Sequence, residues 1–167
     1  MSEPTRQQRQ QQQVDEFITA LERLDNAGRA RLKRNAGRSL HEARGVHQIF
    51  YQALPYEVAG RSEEAIYFLV ATLYPLADSR NDQRSLGAIL RAVRQSRASE
   101  SIDRRFQALL DSDGENLPFR LRQAVRLAAA SDQSIDWRRL LNDLLHWDHP
   151  DRYVQLQWAR DYFTDHS

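Results

Sequence analysis

The chain has 167 residues, of which 41% are hydrophobic and 28% charged, a composition typical of a soluble globular protein and not of a disordered chain. It contains no cysteine, which excludes disulfides and thiolate metal sites, and it has no apolar run near the ~20 residues that span a bilayer. The first residues, MSEPTRQQRQQQQ, lack the apolar stretch of a signal peptide, so we expect a cytoplasmic protein.

The net charge of +1 hides an uneven placement of charge along the chain. Residues 26–41, 83–99 and 116–131 contain no Asp or Glu but hold five, four and three basic residues, which is half of the positive charge of the chain. The acidic residues are therefore concentrated elsewhere. Segregation of this kind creates local positive fields that attract polyanions.

Residues 1–13 are rich in glutamine and have no apolar face, so we predict a disordered tail or a frayed helical extension there. From residue 14 onward, apolar side chains recur at steps of three and four residues, which indicates amphipathic helices. The clearest stripes in the first two thirds of the chain are Val14, Phe17, Ile18, Leu21 and Leu24; Ile66, Leu69, Val70 and Leu73; Leu86, Ile89, Leu90 and Val93; and Ile102, Phe106 and Leu109.

The C-terminal third contains the best-marked helix start. Asp136 is a good N-cap because its side chain can accept a hydrogen bond from a free backbone N–H of the first helical turn. The apolar stripes that follow are Trp137, Leu140, Leu141, Leu144 and Leu145, and then Val154, Trp158 and Tyr162. Trp137, Trp147 and Trp158 occur at core-facing helical spacing, which favours packing in the core.

The chain shows no alternating strand pattern. We therefore predict a compact all-α protein of about eight or nine helices over residues 14–167. A polar loop over residues 77–85 suggests a boundary between two small helical lobes near residues 76–84.

The segment HWDHPD brings together His146, Asp148, His149 and Asp151, which are side chains able to bind a metal and activate water. They cross a helix end and a proline turn, however, so the favoured interpretation is a helix C-terminus followed by a turn. HEARGVH, residues 41–47, is a poor chelate because its two histidines lie on opposite sides of a helix. No P-loop and no dinucleotide-binding motif occurs, so no cofactor is expected.

The arginine spacing predicts basic faces on two helices. In RSLGAILRAVR, Arg84, Arg91 and Arg94 fall within about 80° of one another and opposite the apolar stripe, which predicts an unneutralised basic rail. NAGRARLKRNAGR, residues 26–38, places three arginines within about 60° if it is helical throughout, and Arg29 then stacks over Lys33.

The three arginines of the second group are Arg31, Arg34 and Arg38, and no Glu four residues away relieves their repulsion of roughly 0.2–0.5 kcal/mol per pair. Guanidinium groups bind phosphate through two parallel hydrogen bonds and stack on unpaired bases. A face rich in arginine therefore suits sequence-independent binding of nucleic acid. The alternative is an ordinary solvated face, since 23 arginines against one lysine also fit a biased genomic base composition. Spacing alone leaves both interpretations open.

Five segments occur in a characteristic order: LDNAGRARLKR, SLGAILRAVRQSRASESIDRRFQALLDSD, LPFRLRQAVRL, IDWRRLLNDLLHW and RYVQLQWARDYF. Together they resemble the CasB family, the small subunit of Cascade, which is the type I-E CRISPR surveillance complex. The similarity runs over residues 14–163. The ordered set, especially SESIDRRF followed by IDW and WAR, is more specific than any single segment.

The resemblance implies a non-enzymatic, all-helical subunit that lies as a pair along the inner face of Cascade. It implies contacts with the backbone and large subunits, with crRNA, and with the target DNA strands that are opened during R-loop formation in antiviral defence. It also implies nucleic-acid contacts at Lys33, Arg34, Arg61, Arg104, Arg105, Arg122 and, by a weaker match, Arg152. The arginine spacing adds Arg91, Arg94 and Arg126 as candidates.

Two other functions remain alternatives at this point. A small metal-dependent hydrolase would use the histidines and aspartates of HWDHPD, and it would bind a stoichiometric divalent metal. A helical adapter would use its arginines in protein contacts only, and it would show no salt-sensitive binding to nucleic acid.

Overall fold

The structure is a computed structural model that describes residues 2–97 and 99–164. These residues form nine α-helices and no sheet, apart from one isolated bridge between Ser79 and Ile135, so the predicted all-α fold is confirmed. None of these helices is long and apolar enough to cross a membrane. The helices are α1 (Arg6–Glu22), α2 (Asn26–Arg34), α3 (His47–Ala53), α4 (Glu64–Leu73), α5 (Leu86–Arg97), α6 (Glu100–Leu110), α7 (Leu117–Ala130), α8 (Trp137–Leu144) and α9 (Tyr153–Phe163), with 3₁₀ turns at Tyr56–Val58 and Tyr74–Leu76.

The first helix starts inside the glutamine-rich N-terminal segment. The Thr5 hydroxyl accepts a hydrogen bond from the Gln8 N–H at 3.1 Å, and the Gln8 side chain accepts one from the Thr5 N–H at 2.8 Å. This reciprocal cap satisfies two backbone donors at the helix start. Over residues 6–13 the structure therefore differs from the predicted disordered tail and has the alternative form, a helical extension of α1.

The chain divides into two compact units with the boundary between Pro75 and Leu76, and we call them unit 1 and unit 2. In unit 1, α4 is buried from Tyr67 to Leu73, as expected of a helix that is covered on all sides. α2 packs against α4, and α1 packs against α3. Because α2 buries only Gly28 and Leu32, most of its surface faces solvent.

In unit 2, α5 packs against α9, and α6 packs against both α7 and α9. α5 and α9 approach closely at Gly87 of α5, where a Cβ atom would lie 2.9 Å from the Cα atom of Trp158. Only a residue without a Cβ atom permits this spacing. Trp158 is fully buried, and its indole N–H donates to the Asp143 carboxylate at 2.8 Å. Trp137 and Trp147 are also buried, so the predicted core packing of all three tryptophans is confirmed.

Asp136 caps α8 as the sequence predicts. Its Oδ1 atom accepts a hydrogen bond from the Arg139 N–H at 3.0 Å, and its Oδ2 atom accepts one from the Gln83 N–H at 2.7 Å. The side chain is buried, so the same carboxylate both starts α8 and holds the loop that precedes α5.

We expect Asp136→Ala to lower the free energy of unfolding by about 2–3 kcal/mol, because it removes a cap and leaves the Gln83 N–H without its acceptor. Urea denaturation followed by circular dichroism measures this change. Asp25→Ala is the matched comparison, since exposed Asp25 caps α2 through a single bond to the Gly28 N–H at 2.7 Å, and we expect a loss of about 1 kcal/mol. Equal losses for the two variants would contradict the second role of Asp136.

Candidate nucleic-acid interface

The last turn of α2 carries three exposed cations, Arg31, Lys33 and Arg34, which we call the α2 cluster. No carboxylate in the part of the chain that the structure describes lies within ion-pair distance of them. Their place at the C-terminal end of the helix sets them at the negative pole of its dipole, which offsets part of their mutual repulsion. The α2 cluster is therefore tolerated by the fold while its charge remains available to an external anion.

Arg38 is not part of the α2 cluster. α2 ends at Arg34, so the predicted grouping of Arg38 with Arg31 and Arg34 on one helix face is wrong. Arg29 lies on α2 but is partly engaged, since its guanidinium is 5.2 Å from the centre of the Tyr74 ring. A cation at that distance over an aromatic face interacts with the ring electrons.

Arg61 is exposed on the turn that precedes α4. Its Nε–H donates to the Glu57 carbonyl oxygen at 2.8 Å, and its backbone N–H donates to the Val58 carbonyl oxygen at 3.0 Å. The first bond fixes the Nε side of the guanidinium, and the second fixes the backbone of Arg61. No acceptor for its terminal N–H groups occurs among residues 2–97 and 99–164, so they are available to a ligand.

Arg84 is bound inside unit 2. It precedes α5 instead of lying on it, and its Nε atom pairs with the Asp82 carboxylate at 2.7 Å. Burial of Asp82 acts to raise the pKa of its carboxyl group, but the hydrogen bonds from Arg84 outweigh this and hold the pKa below its ordinary value. The charge of Arg84 is therefore neutralised within the fold.

The other two arginines of the predicted rail are also engaged. The Arg94 Nε atom lies 3.2 Å from the Asp103 carboxylate, and its guanidinium lies 5.6 Å from the centre of the Tyr162 ring. Arg91 donates to the Tyr162 carbonyl oxygen at 3.3 Å. Burial and the hydrogen bond to Asp103 raise the pKa of the Tyr162 hydroxyl, which keeps it a donor. The prediction of an unneutralised rail is therefore wrong for Arg84 and Arg94, whose charges are paired with Asp82 and Asp103.

We expect Arg94→Ala to lower the free energy of unfolding by about 1 kcal/mol through loss of the ion pair and the ring contact, and to leave nucleic-acid affinity unchanged. Thermal unfolding and a binding titration measure the two effects. Arg104→Ala on the neighbouring helix is the control, since Arg104 is exposed and has no ion-pair partner in the described chain. Arg104→Ala should weaken nucleic-acid binding and leave the free energy of unfolding unchanged. The reverse pattern in the two variants would contradict the assignment of Arg94 to the fold and of Arg104 to binding.

Arg105 and Arg120 line one groove between α6 and α7. On α6, Arg105 lies beside the buried stripe, whereas Arg104 is turned by about 100° and faces away from it. Neither Arg105 nor Arg120 has a side-chain hydrogen bond or ion pair in the described parts of the chain. The groove is narrow, and its apolar lining consists of Leu90, Ile102, Phe106, Leu109, Ala124 and Leu127.

Arg120 was not among the residues predicted from the sequence. Its only signal was membership of the acid-free stretch 116–131, because nothing in the sequence shows that α7 lies beside α6. The structure adds Arg120 to the candidate cations.

Arg122 and Arg126 lie on the other flank of α7. They are four residues apart and share a face, but the buried stripe of α7 separates that face from Arg120. Arg122 is half-buried, and its Nε atom has no hydrogen-bond partner among the described residues, while Arg126 is exposed. The structure therefore does not bring these two arginines together with Arg105.

Arg152 is tied to the end of α6. It has a left-handed backbone with φ of +52°, and its guanidinium donates to the Leu110 carbonyl oxygen at 2.6 Å. Carbonyl groups in the last turn of a helix lack intrahelical partners, so this bond completes α6. The geometry gives Arg152 a role in the fold.

HWDHPD lies just after the end of α8 and forms the turn into α9, in agreement with the favoured interpretation of a helix end followed by a turn. The His146 Nδ1 atom lies 2.9 Å from the Asn142 carbonyl oxygen, and the His149 Nδ1 atom accepts a hydrogen bond from the Asp151 N–H at 3.1 Å. Within residues 2–97 and 99–164, no three His, Asp or Glu side chains are grouped so as to hold a metal ion.

A profile of the family described as CRISPR-associated protein Cse2 matches residues 28–163, which is most of the chain. The chain belongs to the Cse2 family. This confirms the resemblance to CasB. The matched region of this Cse2 family member contains every candidate cation from Lys33 to Arg152.

Individual relatives agree with the Cse2 assignment. A Cse2 protein of Thermus thermophilus is 42% identical over 104 residues, which cover 62% of this chain and 59% of that protein. The crystal structure of CasB from M. ruber is 33% identical with a TM-score of 0.75 and covers 90% of this chain and 92% of that chain. A chain of a CRISPR RNA-guided surveillance complex is 23% identical with a TM-score of 0.74, over 91% and 92% of the two chains, and shows a shared fold.

Proposed function

We propose that this Cse2 family chain is a non-catalytic small subunit of a cytoplasmic type I-E Cascade complex and that it binds nucleic acid through backbone phosphates. In this role it steadies the crRNA, the target DNA and the opened strands of the R-loop. The CRISPR-associated family and the shared fold with a chain of a surveillance complex support this role. The CasB resemblance further supports contacts with the backbone and large subunits and with a second copy of the chain.

The observation that carries the proposal is the division of the cations into two groups. Arg84 and Arg94 have carboxylate partners, and Arg91 and Arg152 donate to main-chain carbonyl oxygens. Other cations have no carboxylate partner among the described residues, and the six of these that we take as candidate phosphate ligands are called the free set. The free set consists of Lys33, Arg34, Arg61, Arg104, Arg105 and Arg120.

The free set is suited to phosphate and not to base sequence. Arginine binds phosphate oxygens through two parallel N–H groups, and each such contact displaces counter-ions from the nucleic acid. No helix of a recognisable DNA-reading motif presents these side chains, so binding is expected to be largely independent of sequence. In guide-directed complexes base pairing reads the sequence and the protein holds the backbones, which is the division of labour that the free set fits.

Assembly of the chain with its neighbouring backbone and large subunits and a guide RNA tests the proposal. The triple variant Arg34→Ala, Arg61→Ala, Arg105→Ala is compared with the parent in an assay of R-loop lifetime on target DNA. We expect assembly to be retained and the R-loop lifetime to fall about 10-fold or more, because three phosphate contacts are lost.

The matched control removes three exposed arginines on α1 and at its C-cap, all outside the free set: Arg6, Arg9 and Arg23. This control should leave the R-loop lifetime close to that of the parent. If both triple variants assemble normally and sustain parental R-loops, the proposal is wrong and the arginines serve protein contacts or solubility.

A further inference from the structure

The most exposed large hydrophobic side chain of the described residues is Tyr56, with 90% of its surface accessible. Tyr67, Tyr74 and Tyr162 are buried by comparison. A ring this open adds nothing to the core of unit 1. Aromatic side chains carry a large contact area with few rotatable bonds, so an exposed ring is an efficient anchor for a ligand.

The turn that carries this ring is held rigidly. Pro55 and Val58 are buried on either side of it, and the Val58 N–H donates to the Pro55 carbonyl oxygen at 2.9 Å. Glu64 at the start of α4 accepts a hydrogen bond from the Gly60 N–H at 2.7 Å. The left-handed backbone of Gly60, with φ of +79°, turns the chain back toward α4. A ring presented on a fixed turn loses little conformational freedom when a ligand binds.

Arg61 belongs to the same turn. Its Nε–H bond to the Glu57 carbonyl oxygen fixes the guanidinium beside the backbone segment that carries Tyr56. An exposed aromatic ring and an available guanidinium on one rigid turn are the two elements with which proteins hold single-stranded nucleic acid, since the ring stacks on a base and the cation binds phosphate.

We infer that the turn over residues 55–64 binds one unpaired nucleotide, with the Tyr56 ring stacked on the base and Arg61 on an adjoining phosphate. This inference rests on the proposed function and extends it from backbone contact to capture of a base. Every base has a π face, so the site accepts any of them. The shared chemistry is an unpaired nucleotide, whether it comes from RNA or from an opened DNA strand.

The test titrates the full chain with short labelled strands: oligothymidylate, oligouridylate, an abasic DNA strand of equal length, and a blunt duplex. We expect Tyr56→Ala to weaken binding of the base-bearing single strands about 5- to 100-fold and to leave the abasic strand and the duplex unaffected. Tyr56→Phe keeps the ring and should bind as the parent does. Arg61→Ala should weaken binding of the abasic strand as well, and it should lower the slope of log affinity against log salt concentration by about 0.7.

Leu156→Ala is the control, because Leu156 is another exposed apolar side chain and lies in unit 2. Tyr56→Ala and Leu156→Ala should both unfold at the same temperature as the parent protein. If Tyr56→Ala loses affinity for both oligothymidylate and oligouridylate, the site accepts DNA and RNA. If it loses affinity for only one of them, that strand identifies which nucleic acid supplies the nucleotide. No loss on either strand, or a loss only in assembly with protein subunits, overturns the inference.

The failure of this inference and that of the proposed function are distinguishable. If Arg34→Ala weakens binding of every strand while Tyr56→Ala changes binding of none, only the proposed stacking site is wrong. If neither variant changes binding to any strand or duplex, the backbone-binding role of the chain fails as well.

Discussion

Gly87→Ala is expected to lower the free energy of unfolding by about 3 kcal/mol or more and the Tm by roughly 10 °C. A Cβ atom at residue 87 would meet the backbone of Trp158, with the Cα and carbonyl carbon both 2.9 Å away. Backbone atoms of a packed helix cannot rotate aside as a side chain does, so α5 and α9 would have to separate. Alanine is otherwise favoured over glycine in a helix by about 1 kcal/mol. A decrease in the free energy of unfolding would therefore be due to the steric clash, because without it the substitution would stabilise the protein.

Gly114→Ala is the matched control for this substitution. A Cβ atom at Gly114 would have no atom within 4 Å, and its backbone is not left-handed. We expect the free energy of unfolding to change by less than about 0.5 kcal/mol. Chemical denaturation of both variants, followed by circular dichroism, makes the comparison. A Gly87→Ala protein as stable as the parent would mean that α5 and α9 are not in contact at this position.

The second large effect is expected for nucleic-acid affinity when four members of the free set are replaced by alanine. The variant carries Lys33→Ala, Arg34→Ala, Arg104→Ala and Arg105→Ala. Each lost phosphate contact should lower the slope of log affinity against log salt by about 0.7 on single strands and about 0.9 on duplex. The total change in slope on single strands is about three, and affinity at moderate salt should fall about 100-fold or more.

A variant of equal charge separates this local effect from the change in net charge. It replaces four exposed arginines outside the free set by alanine: Arg6, Arg9, Arg23 and Arg160. Both proteins should retain the circular dichroism spectrum of the parent. The control should bind within about 3-fold of the parent if binding depends on direct phosphate contacts, since charges that make no contact are screened over roughly 10 Å at 0.1 M salt. Equal losses in the two variants would show that only net charge matters.

The sequence was sufficient for those features of the fold that depend on local chemistry. Helices with three- and four-residue apolar spacing, the tryptophan core and the Asp136 cap all depend on residues close together in the chain. The N-terminal helix was the local feature that the sequence left open between a disordered tail and a helical extension, because a glutamine-rich segment has no apolar face. Its signal was nevertheless present, since Thr5 and Gln8 have the spacing of a reciprocal cap.

The candidate interface was harder to predict because its electrostatics are set by tertiary contacts. A helical wheel shows that Arg94 faces away from the α5 stripe, but it cannot show that Asp103 of α6 lies 3.2 Å from it. The pairing of Arg105 with Arg120 likewise needs α6 and α7 side by side. The exposure of Tyr56 has no signature in the sequence, since a tyrosine after a proline is as compatible with burial as with solvent.

Arginine-specific modification with a dicarbonyl reagent, read residue by residue in a mass spectrometer, tests the central claim most directly. The full chain is treated alone, with a saturating single strand, and with the strand at high salt. We predict that Arg34, Arg104, Arg105 and Arg120 react in the free chain, are protected by the strand, and become reactive again at high salt, while Arg94 changes little throughout. Unchanged reactivity of these four arginines on saturation with the strand would contradict the account.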